Sequence, residues 1–115
     1  MIDNKVVRPW GYYINLFEGK KYLTKVIHVN CGGALSVQSH NHRSEHWFIA
    51  CGKAKVILNE SEFILEAGSS IDIPLRAVHS LQNPFEEELE VIETQCGDIL
   101  SEEDIIRYKD IYGRI

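Results

Sequence analysis

Short runs in which apolar and polar residues alternate fill most of the chain. In residues 22–29, one set of alternate positions holds Leu23, Lys25, Ile27 and Val29, which is the period of a strand with one buried face. Val, Ile and aromatic residues are frequent in these runs, as they are in strands. The pattern predicts strands at residues 12–17, 22–30, 34–39, 45–51, 53–58, 63–66, 70–73, 78–82 and 89–95.

Residues that favour chain reversal separate these predicted strands. They are Glu18-Gly19-Lys20, Gly32-Gly33, Cys51-Gly52-Lys53 and Asn59-Glu60-Ser61. Many short strands with turns at this spacing are typical of a β-sandwich or a β-barrel. The sequence therefore predicts an all-β fold.

The period changes near the C-terminus, where the pattern predicts a short helix at about residues 101–112. Ser101 is the predicted N-cap, Asp104 has the capping-box position, and Gly113 is the predicted stop. An apolar stripe follows the cap, made of Ile105, Ile106, Tyr108 and Ile111. We expect this helix to pack on the barrel.

Length and charge narrow the class of protein. The 115 residues have room for one domain, which we expect to span residues 1–115. The net charge of −5 argues against nucleic-acid binding, which depends on a positive field. Residues 1–8 contain no apolar run typical of a signal peptide, and no apolar stretch is long enough to span a bilayer. We expect a soluble, cytoplasmic protein that binds neither nucleic acid nor membrane.

The three cysteines do not indicate a disulfide, a zinc site or a reactive thiol. Cys31, Cys51 and Cys96 form an odd set without C-x-x-C spacing, which fits neither a disulfide framework nor a zinc ribbon. We expect all three thiols to be reduced, buried and inert.

Four polar side chains have the spacing of a metal site, namely Gln38, His40, Glu45 and His79. Gln38 and His40 are two apart and share a strand face; Glu45 opens the predicted return strand, and His79 starts a later one. The same alternation directs His46 away from the site. Two imidazoles, a carboxylate and an amide oxygen suit one divalent ion, with Zn²⁺ first and Fe²⁺, Mn²⁺, Co²⁺ or Ni²⁺ as alternatives.

The glycines and ligands of residues 32–52 and 68–83 fit the paired motifs of the cupin superfamily, with Gln38 where many cupins have the first histidine. More narrowly, the chain resembles the C-terminal domain of type II mannose-6-phosphate isomerases. The matching segments are Arg8-Pro9-Trp10-Gly11, residues 36–47 with their Arg43-Ser44-Glu45-His46-Trp47 core, Ile73-Pro74, His79, Asn83-Pro84, residues 103–107 and residues 110–114. The resemblance implies a cupin, that is, a double-stranded β-helix or jelly-roll barrel.

The resemblance also implies reversible isomerisation of mannose 6-phosphate and fructose 6-phosphate through an enediol. Arg43, in the matching motif, and Lys25, in the family's lysine position, are the first candidates for catalytic or phosphate-contacting cations. Arg107 and Arg114 are weaker candidates. His42 is either a base, an alternative ligand or a solvated turn residue, and Glu93 either lines the cavity or faces solvent.

Some residues depart from the family pattern. Arg76 stands where cupins usually have glycine; it either binds substrate in place of a lost positive charge or marks altered specificity. Ser80 and Cys31 replace a frequent arginine and a usual proline. The guanylyltransferase domain that usually precedes this domain is not among these residues, so nucleotide-sugar synthesis is not expected.

Two other functions stay open at this point, because a fold alone does not select an activity. One is a cupin module that binds a sugar or another metabolite without turning it over, and the other is a metal-dependent cupin oxygenase. The expected partners are a sugar phosphate and a second copy of the chain, with the 6–10 stretch as a candidate dimer contact.

Overall fold

The computed structural model describes residues 4–115, which form eleven strands and no helix. The strands are β1 (Lys5–Arg8), β2 (Gly11–Glu18), β3 (Tyr22–Val29), β4 (Val37–Ser39), β5 (Arg43–Cys51), β6 (Lys53–Leu58), β7 (Ser61–Glu66), β8 (Ser70–Ile73), β9 (His79–Gln82), β10 (Leu89–Gly97) and β11 (Ile106–Lys109). The predicted all-β class is confirmed, and each of the nine predicted strands overlaps an observed one, although β4 covers only the second half of the strand predicted at residues 34–39. Residues 1–3, part of the segment predicted to lack a signal peptide, lie outside the described residues.

The strands form two antiparallel sheets. Sheet A has the order β1-β2-β3-β10-β5-β8, and sheet B has the order β11-β4-β9-β6-β7. Side chains of both sheets share one core; sheet A contributes Trp47, Ile49 and Val91, and sheet B contributes Val56 and Leu81. Burial of these apolar faces, rather than strand propensity alone, holds the sheets together.

The interior changes from apolar to polar along the strands. On β10, the inward positions are Leu89 and Val91, followed by Glu93 and Gln95. All four side chains are buried, yet only the first two are apolar. Buried polar groups need partners inside the protein, so the polar end of the interior is where a functional site is to be sought.

One turn shows why glycine is required at a strand junction. Gly52 joins β5 to β6 with φ at 81°, a region that residues with a Cβ rarely adopt. A Cβ at this position would also lie 2.4 Å from the Glu88 carbonyl oxygen. Any side chain here would therefore push apart the β5–β6 turn and the segment before β10.

The predicted C-terminal helix is wrong. Ser101 makes only one turn, in which the Asp104 amide donates to the Ser101 carbonyl at 3.0 Å and the Glu103 amide donates to the Ser101 hydroxyl at 3.1 Å. The chain then continues as β11, which pairs with β4, with Arg107 opposite Gln38. Hydrogen bonds to β4 replace those within a helix, because the open edge of β4 needs a neighbouring strand.

The expectation of buried cysteines is also wrong. All three thiols are free, as expected, but Cys31, Cys51 and Cys96 are exposed. Cys96 lies on the outward face of β10, where strand alternation places it. Cys51 is the last residue of β5, where a shift in the β5–β10 register pairs it with Glu90 and leaves it exposed. The frequent burial of cysteine in other proteins does not override this register.

The segment proposed as a dimer contact is a strand of its own sheet. β1 pairs with β2, so that Arg8 lies opposite Gly11. β1 is an edge strand of sheet A, so its other edge has no neighbouring strand among the described residues. The homodimer stays a prediction. Among residues 4–115 there is no helix with the length and apolar character needed to cross a bilayer.

Candidate metal and substrate site

A cavity of about 130 Å³ opens at the polar end of the interior. Most of the predicted site residues line it, namely Lys25, Gln38, His40, Arg43, Glu45, Glu93 and Arg107. The wall also includes residues that were not predicted, among them Arg8, Tyr13 and Glu102. Thus side chains separated by most of the length of the chain meet around one small volume.

His40, Glu45 and His79 converge as the expected metal ligands would. One ligand atom from each lies within 4.8 Å of the others, and all three side chains are buried. The His40 Nε2 atom is 3.2 Å from Glu45 Oε2, and His79 Nε2 is 3.7 Å from Glu45 Oε1. His79 lies behind the cavity wall with 1% of its surface exposed.

Gln38 joins this group through sheet B. It is buried, lines the cavity, and lies directly opposite His79 in the β4–β9 pair. Residues in such a pair project on the same face with Cβ atoms about 5 Å apart. The two-residue spacing of Gln38 and His40 therefore puts an amide beside the imidazoles, as the strand pattern predicts.

The hydrogen bonds made by Nδ1 of the two histidines leave the inward nitrogen of each ring, Nε2, without a proton. His40 Nδ1 donates to the Asp104 carbonyl at 2.6 Å, and His79 Nδ1 donates to the Ala77 carbonyl at 2.9 Å. Each Nε2 is then unprotonated and faces the Glu45 carboxylate, and His79 Nε2 has no hydrogen-bond partner among residues 4–115. Backbone carbonyls that orient ligand imidazoles in this way are typical of metal sites. These residues fit a divalent ion.

Electrostatics keep both imidazoles in the neutral form that a metal requires. Burial, followed by the charge of Arg43, lowers the pKa of His40 from 6.5 to about 4. Burial also lowers the pKa of His79. Protons therefore do not compete with a cation for either Nε2 at neutral pH.

Arg43 and Lys25 bring positive charge to the same wall. Arg43 Nε donates to Glu45 Oε2 at 2.9 Å, and its Nη2 is 3.3 Å from His40 Nε2. Lys25 is 4% exposed; its ammonium lies over the Tyr13 ring at 4.1 Å and donates to Glu102 at 3.1 Å. Both cations predicted to act in catalysis thus lie in the cavity, and Arg43 also has the carboxylate partner expected of a structural arginine.

Glu93 is a second carboxyl in the cavity, next to Glu45. The Trp47 indole N–H is 3.0 Å from Glu45 Oε1 and 2.9 Å from Glu93 Oε1, and Gln95 donates to Glu93 Oε2 at 2.8 Å. Burial, followed by the charge of Glu45, raises the pKa of Glu93 to about 7. Its position answers the question left open by the sequence, because it lines the cavity and does not face solvent.

Three other predicted or neighbouring residues lie outside the cavity. His42 is exposed and belongs to a separate shallow cleft with Ser44 and Cys96. Arg76 is exposed, with φ at 66°, and is not part of the cavity wall. His46 points outward and pairs with Asp72, as the strand alternation predicts.

Sequence reasoning missed the segment that closes the site. Asp104 holds His40 through its carbonyl, and its carboxylate accepts from the Asn41 and His42 amides, each at 2.9 Å. Arg43 donates to the Ser101 carbonyl at 3.2 Å. The cluster Glu102-Glu103-Asp104 was visible in the sequence but was assigned to the first turn of a helix.

Comparison with known proteins identifies similar chains. Residues 1–110 match the family model described as "Mannose-6-phosphate isomerase C-terminal". The alginate biosynthesis protein AlgA of Pseudomonas fluorescens is 46% identical over 110 residues, covering 96% of this chain and 23% of that protein. The mannose-1-phosphate guanylyltransferase ManC of Salmonella typhimurium is 44% identical over 114 residues, with coverages of 99% and 24%. The chain thus spans about a quarter of the length of these curated relatives.

Solved structures agree on the fold. The capsular polysaccharide assembling protein CapF of Staphylococcus aureus superimposes with a TM-score of 0.81 at 14% identity, over 92% of this chain and 34% of that one. The Cnp3 cupin domain of Schizosaccharomyces pombe has a TM-score of 0.72 at 20% identity, over 76% and 64%. The predicted cupin fold is confirmed.

Proposed function

We propose that this chain, which belongs to the mannose-6-phosphate isomerase C-terminal family, binds one divalent metal ion and isomerises a sugar phosphate, with mannose 6-phosphate and fructose 6-phosphate as the substrate pair. The observation that supports this most directly is the convergence of two unprotonated imidazole nitrogens and a carboxylate beside a cavity with a cationic wall. The family resemblance suggests the substrate pair, and the residues that line the cavity suggest the type of reaction.

Gln38, His40, Glu45 and His79 would hold the ion, for which Zn²⁺ is the first choice. Bound there, a divalent ion would act as a Lewis acid that stabilises the negative charge developing on substrate oxygens. Arg43 and Lys25 place further positive charge at this wall, where a low dielectric strengthens their effect.

Isomerisation also needs a base that removes the proton at C2 of the open-chain aldose and returns a proton at C1. Because His42 lies outside the cavity wall, we assign this role to Glu93, which lines it and is hydrogen-bonded through Trp47 and Gln95. These hydrogen bonds hold the Glu93 carboxyl in one orientation, as proton transfer to or from a bound substrate requires.

Neither alternative function gains support from this geometry. Oxygenase chemistry would be favoured if His42 or His46 replaced Gln38 near the ligands, but both are exposed and outside the cavity. A pure binding module would be favoured if the cations pointed away, but Arg43 and Lys25 line the wall. Arg76 does not line the wall, so it is not part of the proposed substrate site.

The test is a coupled assay of mannose 6-phosphate turnover by metal-loaded protein. Gln38→Ala and His79→Ala should abolish turnover, whereas His46→Ala, which removes an outward imidazole, should leave it unchanged. Turnover by the wild type no higher than by Gln38→Ala and His79→Ala would refute the proposed activity.

A further inference from the structure

Within residues 4–115, two arginines at the cavity have no carboxylate partner. The other three cations of the wall are paired: Lys25 with Glu102 at 3.1 Å, Arg43 with Glu45 at 2.9 Å and Arg114 with Asp110 at 2.8 Å. Arg8 and Arg107 form no ion pair with any residue of the 4–115 range. The cavity wall therefore has two cations that form no ion pair with a carboxylate of residues 4–115.

Arg107 lies next to the proposed metal ligands on sheet B. It is opposite Gln38 in the β11–β4 pair, and Gln38 is opposite His79 in the β4–β9 pair. Neighbouring strands are about 4.8 Å apart, so the three side chains form one row on the inward face. The Arg107 Nε atom is buried and has no hydrogen-bond partner within residues 4–115. Leaving such a donor unsatisfied is costly, and a bound anion would satisfy it.

Arg8 approaches the same cavity from sheet A. It ends β1, is half-buried, and its guanidinium lies 5.5 Å from the centre of the Tyr13 ring, which lines the cavity. The only hydrogen bond of its side chain among the described residues is donated to the Val7 carbonyl. Burial raises the pKa of Glu102, a residue of the cavity wall. The positive charge of Arg8 is one of those that outweigh burial and lower this pKa below its usual value. Arg8 and Arg107 thus face one space from opposite sheets.

We propose that Arg8 and Arg107 form an anion subsite at the cavity mouth that binds the phosphate group of the substrate; the identity of that substrate rests on the proposed function. Two guanidinium groups match the charge of a phosphate monoester, about −1.5 to −2, and their planar forks match its oxygens. The cavity of about 130 Å³ is smaller than the roughly 300–1,000 Å³ of most ligand pockets. It encloses the reacting end of a hexose phosphate and leaves the phosphate at the half-buried arginines.

The experiment measures calorimetric binding of inorganic phosphate to the whole chain, so that it does not depend on turnover. Arg107→Met and Arg8→Met should each raise the dissociation constant at least about tenfold, the loss expected for one charge-assisted contact. The matched control is Lys109→Met, which removes an exposed cation of the same strand and should bind phosphate as the wild type does. Arg107→Lys, which keeps the charge but loses the fork, should give an intermediate value and serves if Arg107→Met does not fold.

The outcomes separate the subsite from the isomerase activity. Absence of phosphate binding by the wild type, or equal binding by the wild type, Arg8→Met and Arg107→Lys, would overturn the subsite even if the protein turned over mannose 6-phosphate. Selective loss in the arginine variants would support the subsite even if the coupled assay gave no turnover.

Discussion

Replacing Glu93 by Gln removes a titrating carboxyl from the cavity while keeping its size. Burial and the charge of Glu45 raise the pKa of Glu93 from 4.5 to about 7, so the folded protein binds this proton more tightly than the unfolded chain. The stability that the protonated form contributes is fully present below pH 4.5 and is lost as the pH rises through 7. Glu93→Gln has no such proton and should lack this loss.

The size of the effect follows from the two pKa values. The interval between 4.5 and about 7, at about 1.4 kcal/mol per pH unit, corresponds to about 3 kcal/mol of unfolding free energy. The lowered pKa values of His40 and His79 act in the opposite direction, since stability rises with pH as these imidazoles lose their protons. Both histidines are present in wild type and variant, but Glu93 is itself one of the charges that raise their pKa values, so their contribution cancels only in part.

The assay is urea unfolding of metal-free protein between pH 5 and pH 8, followed by tryptophan fluorescence. Relative to Glu93→Gln, the wild type should lose about 2–3 kcal/mol between pH 5 and pH 8, the remainder of the effect being lost below pH 5. Glu66→Gln, at an exposed position of β7, is the control and should parallel the wild type. A constant difference between wild type and Glu93→Gln at all pH values would show that the carboxyl is not desolvated in this way.

Three further predictions test other parts of the structure. Asp104→Ala frees the turn that orients His40 and should weaken Zn²⁺ binding about 10–100-fold in a chelator competition, whereas Asp98→Ala, which breaks only an exposed ion pair, should not. Ile49→Ala, at a position with 0% exposure, should lower the unfolding free energy by about 2–5 kcal/mol, and the outward Phe48→Ala by much less. All three exposed thiols should react with a thiol reagent without denaturant, Cys31 the slowest, because partial desolvation and Glu88 raise its pKa.

Strand alternation was the part of the sequence that predicted most of the site. It separated Glu45, which is buried, from His46, which is exposed and bound to Asp72. It also predicted that the side chains of Gln38, in β4, and of His40, one residue beyond the end of β4, are buried on the same side. These are local properties of a two-residue period, and neighbouring residues are enough to reveal them.

The C-terminal segment was mispredicted because its structure depends on a distant partner. Ile105, Ile106 and Tyr108 have helical spacing, but the unpaired edge of β4 captures the chain as β11. The bond from His40 to the Asp104 carbonyl joins residues 64 apart, and no local pattern marks such a pairing. Which cation lines the cavity, as Arg8 does and Arg76 does not, likewise depends on the completed barrel.

The closing segment has a consequence for the order in which the protein matures during synthesis. All four proposed metal ligands have been synthesised once the chain reaches His79. The carbonyl that orients His40 belongs to Asp104, and the arginine beside Gln38 is Arg107, so both are synthesised later. We expect a nascent or carboxypeptidase-trimmed chain to form most of the two sheets and yet retain metal poorly, which metal analysis of trimmed protein would measure. Tight metal binding would then distinguish chains that contain β11 from chains that end before it.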